Sequence, residues 1–223
     1  MNKDLLFDGL KKFIAGVIMI GLMLFLPAGT LHYMNGWLFC AVLFIPVMIM
    51  GVVLYCKAPD LLRKRLKEKE EQSEQKSVVA LSGLMFLGGF VLAGLDYRFG
   101  WTQLPNWLVY GSAVAFLLGY AMFGEVMREN AYLSRTVEVQ ENQVVIDTGL
   151  YGIVRHPLYT ATVLMFLAMP LILGSAVSFV IFLLYPFLIV KRIRNEEQVL
   201  EEGLAGYVEY KHKVKYRLIP FIW

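Results

Sequence analysis

The stretch LYTATVLMFLAMPLILGSAVSFVIFLLYPFLIV, residues 158–190, decides the fold of this chain. It is apolar almost throughout, and it is interrupted near its middle by Pro170, Gly174 and Ser175. A helix kinks or reverses at residues of these types. The stretch therefore predicts a tight helical hairpin.

The chain as a whole is also strongly apolar. Of the 223 residues, 58% are hydrophobic and only 17% are charged, and the mean hydropathy is +0.58, beyond what soluble domains usually show. The pattern predicts an all-α, polytopic integral membrane protein that forms one membrane domain over 1–223. The N-terminal helices are expected in 1–126 and the polar chemistry in 127–223. Six helical spans are expected, at about 10–27, 36–56, 77–95, 107–126, 158–173 and 175–190.

The basic residues indicate the orientation of these spans. Three Lys lie at the start of the first span, seven Lys or Arg in 57–76, three in 127–157 and seven after 190, so that 20 of the 21 share one side. Only Arg98 falls on the other side. Because basic loops stay in the cytoplasm, both termini and the polar segments are predicted to be cytoplasmic. The net charge of +3 is then a topology signal and not a sign of nucleic-acid binding.

The two cysteines carry no redox or metal signal. Cys40 and Cys56 fall in one predicted helix, where a rise of about 1.5 Å per residue separates them by roughly 24 Å. They cannot form a disulfide within that helix, and no Cys and His cluster suggests a metal site. The catalytic parts are therefore expected to face a reducing compartment, without a metal.

Two patterns in the membrane part favour packing over chemistry. The segment 57–76 mixes charges with leucines, which is typical of an interfacial helix or a solvated connector; a lipid-specific site is the less favoured alternative. Gly111, Ala115 and Gly119 recur every fourth residue and predict a close approach of a neighbouring helix.

Two acidic residues, Asp96 and Glu125, fall at the ends of predicted spans. An ionised carboxylate is costly in hydrocarbon. We therefore expect both side chains to reach interfacial water.

The polar segment between the fourth and fifth spans contains TGLYGIVRHPLY, residues 148–159. Arg155 and His156 stand directly before Pro157, and proline is favoured in the first turn of a helix. The free amides and the positive end of that helix would favour a carboxylate or another electron-rich ligand group, with help from Arg155. The alternative is an Arg and His pair that only anchors the helix at the lipid headgroups.

A second group of polar residues follows the hairpin. Arg192 and Glu196 are an i, i+4 pair on one helix face, and Glu197 lies beside them. An ordinary surface salt bridge is the alternative. The hairpin, however, returns these residues to the side of Arg155 and His156.

The tail alternates aromatic with basic residues and ends in RLIPFIW. This composition suits a segment that lies on the membrane interface, in contact with membrane lipids. Nucleic-acid binding is the rival interpretation, which a short juxtamembrane tail disfavours. The residues concerned are Tyr207, Tyr210, Tyr216, Phe221 and Trp223, with Lys211, Lys213, Lys215 and Arg217 between them.

Taken together, these motifs resemble the isoprenylcysteine carboxyl methyltransferase family. The resemblance covers about residues 125–223 and rests on GLYGIVRHPLYTA, the break at Gly174 and Ser175, EExxL from Glu196 to Leu200, and the ending GYVEYKHKVKYRLIPF. It implies a membrane-embedded methyltransferase whose cofactor is S-adenosylmethionine and whose methyl acceptor is a lipid-like, isoprenylcysteine-like molecule.

The resemblance also implies site residues. Arg192 would face the methyl acceptor, with Glu197 as a second catalytic candidate. The cofactor contacts would come from the segment before the RHP motif, which is strand-like, from the helix start and from the acidic helix: Gln140, Gln143, Val144, Val145, Ile146, Tyr151, Arg155, His156, Pro157, Leu158, Tyr159 and Glu196.

The chemistry of the acceptor distinguishes the remaining alternatives. A carboxylate is ionised at neutral pH and needs no general base, so catalysis reduces to orientation and exclusion of water, with Arg192 holding the carboxylate. A phospholipid amine would need Glu197 or His156 as a base. An NADPH-dependent membrane reductase and a non-catalytic scaffold are the other two hypotheses; the chain has no dinucleotide-binding glycine motif.

Overall fold

The computed structural model describes residues 3–66, 73–133 and 139–223. All regular elements in these ranges are helices, which confirms the all-α prediction. They are α1 (Lys3–Ala28), α2 (Met34–Lys57), α3 (Pro59–Leu66), α4 (Ser73–Phe99), α5 (Asn106–Glu129), a 3₁₀ helix (Gly149–Gly152), α6 (Pro157–Ile172), α7 (Ala176–Phe182), α8 (Tyr185–Gly203) and α9 (Tyr207–Lys213).

Five stretches of the described chain are long and apolar enough to cross a membrane: α1, α2, most of α4, α5, and the run Ala176–Gly203 that joins α7 to α8. This confirms a polytopic integral membrane protein. The fifth predicted span, α6, has only 16 residues, about 24 Å of helix against a hydrocarbon core of about 30 Å. The count of six spans therefore stays a prediction.

Helix α6 lies at the centre of the bundle. It packs along α5 and also contacts α2, α4, α7 and α8, while α1 packs against α4 and α2. The approach of α6 to α5 depends on Gly119, where a Cβ would lie 2.8 Å from the Met165 side chain. The predicted small-residue packing is thus confirmed at Gly119, whereas Gly111 faces open space on the outer surface.

The predicted hairpin is confirmed, and its turn is Leu173 to Ser175. Gly174 takes a positive φ of 78°, and a Cβ there would lie 2.6 Å from the Asn35 amide nitrogen. Glycine is therefore required by both backbone and space. Pro170 stays within α6, and the Tyr33 hydroxyl donates to the Leu173 carbonyl at 2.5 Å.

Asp96 does not reach interfacial water, contrary to the prediction, because it is 1% exposed. Its carboxylate accepts hydrogen bonds from the Thr102 N–H at 2.7 Å, the Thr102 hydroxyl at 2.6 Å and the Ser175 hydroxyl. The carboxylate thereby fastens α4 and the chain before α5 to the hairpin turn. Glu125, by contrast, is partly exposed and paired with Arg128.

The basic segments meet at the opposite end of the bundle from Asp96. Lys12 Nζ donates to the Leu66 carbonyl at 2.7 Å, and the α3 helix packs its Leu61 against Met127 of α5. Residues 59–66 of the mixed-charge segment are helical as α3, while 67–72 lie outside the described residues. We call this end of the molecule the basic face.

Candidate functional site

A cavity opens at the basic face, where the ends of α5, α6 and α8 meet α9 and the loop before the 3₁₀ helix. Its walls surround about 880 Å³ of space, which includes open solvent at the mouth. We call it the site cavity. Its lining is Asn130, Tyr132, Leu133, Gln143, Val144, Val145, Ile146, Tyr151, Arg155, His156, Leu158, Tyr159, Arg192, Glu196, Leu200, Leu204, Tyr207 and Tyr210.

Most of the residues that the sequence predicts for the site line this cavity together. The first and the last of them in the chain, Gln143 and Glu196, are 53 positions apart, and α6 and the returning arm of the hairpin bring them to one place. The predicted residues that line the cavity are Gln143, Val144, Val145, Ile146, Tyr151, Arg155, His156, Leu158, Tyr159, Arg192 and Glu196. The first four have neither strand nor helical structure, so the prediction of a strand-like segment is wrong.

Three predicted residues are not among the lining residues. The Gln140 amide donates to the Tyr132 carbonyl, so this side chain supports a neighbouring wall residue. Pro157 is buried and is the first residue of α6, a position at which proline is favoured. Glu197 lies behind the wall, 3% exposed, and its direct catalytic role is a prediction that this position does not favour.

Backbone hydrogen bonds to the tail hold the two residues that precede α6. The Arg155 N–H donates to the Tyr216 carbonyl at 2.8 Å and the His156 N–H donates to the Arg217 carbonyl at 2.9 Å. These backbone donors therefore bind the chain itself and not an external carboxylate.

The Arg155 side chain also makes several contacts within the protein. Its Nε donates to Glu197 Oε1 at 2.7 Å, and its Nη1 donates to the carbonyls of Val214 at 2.8 Å and Lys215 at 2.9 Å. These contacts give Arg155 a structural role, because charged groups buried this deeply need internal partners. Its direct help to a ligand carboxylate stays a prediction.

One hydroxyl links the two predicted motifs inside the cavity. The Tyr159 hydroxyl donates to Glu196 Oε2 and accepts from Arg192 Nε at 2.8 Å. The His156 ring stacks beside Tyr159, with 5.7 Å between ring centroids. A carboxylate, a guanidinium and two aromatic rings are thereby presented to one volume, a combination that can bind a ligand carrying both charges and a flat ring.

The turn before α6 is shaped by Glu129. Its carboxylate accepts from the Leu150 N–H at 3.2 Å, at the start of the 3₁₀ helix, where Gly149 has a positive φ of 51°. A Cβ at Gly149 would overlap the Glu129 carboxylate. This contact sets the position of Tyr151, whose hydroxyl accepts from the Asn130 amide at 2.9 Å.

The tail helix forms a wall that the sequence interpretation missed. Tyr207 and Tyr210 were predicted to lie on the membrane interface, but they are 4% and 5% exposed and pack with Leu204 and Val214. Their spacing from Val214 is helical, at i, i+3 and i+7, which is the signal that indicates a buried face. The Tyr210 hydroxyl donates to the Tyr151 carbonyl at 2.7 Å and joins the tail to the 3₁₀ helix.

A surface hydrogen bond and burial shift the pKa values of three ionisable side chains near the tail helix. Lys213 Nζ donates to Asp147 Oδ2 at 2.6 Å, and this hydrogen bond lowers the pKa of Asp147 below its usual value. Burial raises the pKa of Tyr151 and of Tyr210. Both phenols therefore stay protonated at neutral pH and keep their hydrogen-bonding roles.

Part of the chain is similar in sequence to a known protein. It is similar to the Delta(14)-sterol reductase TM7SF2 of Mus musculus, with 31% identity over 91 residues, which are 40% of this chain and 22% of the relative. The chain thus spans about a fifth of the length of this relative.

The model of the isoprenylcysteine carboxyl methyltransferase family matches residues 112–202. The matched segment runs from α5 to the end of α8 and contains the RHP motif, the hairpin and both members of the Arg192 and Glu196 pair. The match supports a membrane methyltransferase and leaves α9 outside it. It confirms the resemblance found in the motifs, over a segment that is less than half of the chain.

Proposed function

We propose that the protein is an S-adenosylmethionine-dependent methyltransferase that O-methylates a carboxylate on a lipid-like, isoprenylcysteine-like acceptor at the cytoplasmic membrane face. The observation that carries this proposal is the Tyr159 hydroxyl held between Glu196 and Arg192 in a cavity lined mostly by residues of the matched segment.

The residues of the site cavity suit this cofactor. The half-buried Glu196 carboxylate can accept from an ammonium or from ribose hydroxyls. His156, Tyr159 and Tyr151 offer rings to an adenine or to a sulfonium cation. Once bound, the cofactor supplies a methyl group activated on sulfur.

The residues would act by orientation. An ionised carboxylate is already a nucleophile, so no base is required, and Arg192 can hold it against the methyl donor. Glu196 and Tyr159 fix Arg192 from the cofactor side. Tyr151, which is buried, and Leu158, which is partly buried, would limit access of water, which strengthens these charge interactions.

The surroundings of Glu197 favour a carboxylate over an amine as the acceptor. An amine acceptor needs a base, yet Glu197 accepts from both Arg155 and Arg217, and His156 Nε2 lies 3.3 Å from the same carboxylate. A carboxylate held by two guanidinium groups is a poor base, since the cations stabilise its ionised form.

The position of the cavity supports a lipid-like acceptor on the cytoplasmic side. The cavity opens at the basic face, at the level where the long apolar helices end. The gathering of basic residues at this face is the pattern of a cytoplasmic surface.

The similarity to a sterol reductase supports a second candidate, an NADPH-dependent membrane reductase. The two candidates differ in the ligand that the cavity binds. In the methyltransferase the ligand is S-adenosylmethionine; in the reductase it is a nicotinamide dinucleotide.

Binding calorimetry on the detergent-purified protein tests the proposal. We expect saturable binding of S-adenosylhomocysteine, weakened in Glu196→Gln and unchanged in Glu202→Gln, whose exposed carboxylate lies on the same helix. NADPH is the control ligand. Binding of NADPH in place of S-adenosylhomocysteine would replace the proposal with the reductase, and binding of neither would exclude both.

Labelled methyl transfer then identifies the acceptor. We expect S-prenylated N-acetylcysteine to receive label that base releases as methanol, which is the behaviour of a methyl ester. Label that resists base and appears on phosphatidylethanolamine would identify N-methylation instead.

A further inference from the structure

A groove runs along the exposed surface of α1 at the end of the bundle opposite the basic face. Its walls surround about 990 Å³ of space, which includes open space at the mouth. Its large aliphatic side chains are at least half exposed, so the rest of the described chain does not cover it. We call it the α1 groove, and its lining is Ile18, Gly21, Leu22, Phe25, Leu26, Gly29, Thr30 and Leu31.

The α1 groove has the length of one membrane leaflet. Ile18 and Gly29 are eleven positions apart, about 16 Å along a helix axis. Half of a hydrocarbon core of about 30 Å is about 15 Å. The groove therefore matches a single lipid chain of one leaflet, whereas a second membrane helix docked on α1 would contact more of its 26 residues.

Aromatic side chains indicate which end of the α1 groove lies near the lipid headgroups. Trp37, Trp101 and Trp107 are exposed at the same end of the bundle as Leu31, and tryptophan gathers at the boundary between membrane and water. Trp37 Nε1 donates to the Leu31 carbonyl at 2.8 Å. The Leu31 end of the groove therefore lies near the headgroups, and the Ile18 end points toward the middle of the bilayer.

A cation lies at the headgroup end of the α1 groove. A Cβ at Gly29 would lie 3.6 Å from Arg98 Cζ, so the guanidinium is beside a residue that lines the groove. Arg98 is the one Lys or Arg that the sequence predicts at this end of the bundle. In the part of the chain that the structure describes it has no acidic partner, and its guanidinium lies over the Phe99 ring, 5.6 Å from the centroid.

The combination of groove and cation is complementary to a phospholipid. An apolar wall at the level of the hydrocarbon suits an acyl chain, and a guanidinium at the headgroup level suits phosphate oxygens, which it can bind through two N–H groups. A neutral apolar partner would leave the charge of Arg98 without a counterpart.

We propose that the α1 groove binds a glycerophospholipid of the leaflet opposite the basic face, with one acyl chain along Ile18, Leu22 and Phe25 and its phosphate at Arg98. This inference goes beyond the proposed function and does not depend on it, because the groove and the site cavity lie at opposite ends of the bundle.

The test uses phosphatidylglycerol that carries a photoreactive diazirine on one acyl chain. The detergent-purified full chain is irradiated with this probe in mixed micelles, and mass spectrometry identifies and quantifies the labelled peptides. Unlabelled phosphatidylglycerol and a diacylglycerol with the same chains serve as competitors, which differ only in the phosphate headgroup.

Two variants separate the apolar wall from the cation. Gly21→Leu fills the groove without a clash, because nothing lies within 4 Å of its Cβ position, and Gly111→Leu is the matched control for the same reason. Arg98→Gln removes the cation, and Arg194→Gln, exposed at the basic face, is its control. Melting temperatures show that each variant is folded.

We expect labelling to concentrate on residues 18–31, and phosphatidylglycerol but not the diacylglycerol to compete with it. Labelling of this segment should be lost in Gly21→Leu. In Arg98→Gln it should fall about fivefold at low probe concentration, since one cation near anionic lipid contributes about 1 kcal/mol. The two control variants should label as the wild type does.

Several results would overturn the inference. They are labelling spread evenly over the exposed faces of α1 and α2, equal competition by the diacylglycerol, and unchanged labelling in Gly21→Leu or in Arg98→Gln. Chemically cross-linked dimers that Gly21→Leu abolishes would assign the groove to a second copy of the chain instead. Binding of S-adenosylhomocysteine is measured separately, so failure of this inference and failure of the proposed function are distinguishable.

Discussion

The guanidinium Nε of Arg155 lies 2.7 Å from the carboxylate of Glu197, and the two side chains are only 5% and 4% exposed. The same carboxylate accepts from Arg217 Nε at 2.8 Å and lies 3.3 Å from His156 Nε2. One acidic side chain therefore joins the start of α6, the middle of α8 and the tail. We infer that Glu197 positions the site walls and does not contact the substrate.

Glu197→Gln is expected to destabilise the protein strongly. Removing one partner of a buried ion pair leaves a charge without compensation and costs about 3–5 kcal/mol. The control is Glu201→Gln, which removes only the more exposed pair with Lys211, worth about 0–1 kcal/mol. Melting temperatures in detergent measure the difference, and equal values for the two variants would contradict the structural role of Glu197.

Arg192→Ala is expected to separate turnover from cofactor binding. Arg192 is proposed to hold the acceptor, so its loss should lower kcat on the order of a hundredfold through misplacement of the reacting carboxylate. The Kd of S-adenosylhomocysteine should stay near the wild-type value. Arg194→Ala, on an exposed position of the same helix, serves as the control. A rise in Kd as large as the fall in kcat would assign Arg192 to the cofactor instead.

Gly149→Ala is expected to weaken both stability and cofactor binding. The alanine would adopt a positive φ at a cost of about 1–2 kcal/mol, and its Cβ would displace the Glu129 carboxylate from Leu150 and move Tyr151. Gly111→Ala is the matched control, because nothing lies within 4 Å of its Cβ position. If the two variants melt and bind alike, the Glu129 contact does not set this turn.

Asp96→Asn is expected to lower the melting temperature without changing cofactor affinity. The asparagine NH₂ replaces one acceptor oxygen and faces a donor, which costs about 1–3 kcal/mol. Affinity should be preserved, since Asp96 lies at the opposite end of the bundle from the site cavity. Asp60→Asn, at a side chain 90% exposed, is the control. A matching loss of S-adenosylhomocysteine binding would reveal coupling between the two ends.

The sequence by itself determined the long apolar helices and indicated that the polar residues gather at one end of them. An apolar run of this length is helical because, within a single segment, a helix satisfies all backbone hydrogen bonds in lipid. The break at Gly174 is likewise local, because a positive φ favours glycine in any context. The RHP motif at 155–157 and the EExxL motif at 196–200 predicted residues from both segments that line the site cavity.

Only the tertiary structure decided which side chains face the cavity and which support it. Glu197 and Arg155 are 42 positions apart, and Tyr210 meets Tyr151 across 59 positions; no local pattern specifies such pairs. Glu196 and Glu197 are neighbours of the same type, and successive residues of a helix point about 100° apart. One therefore enters the cavity and the other is buried behind it, an outcome that depends on how α6, α8 and the tail pack together.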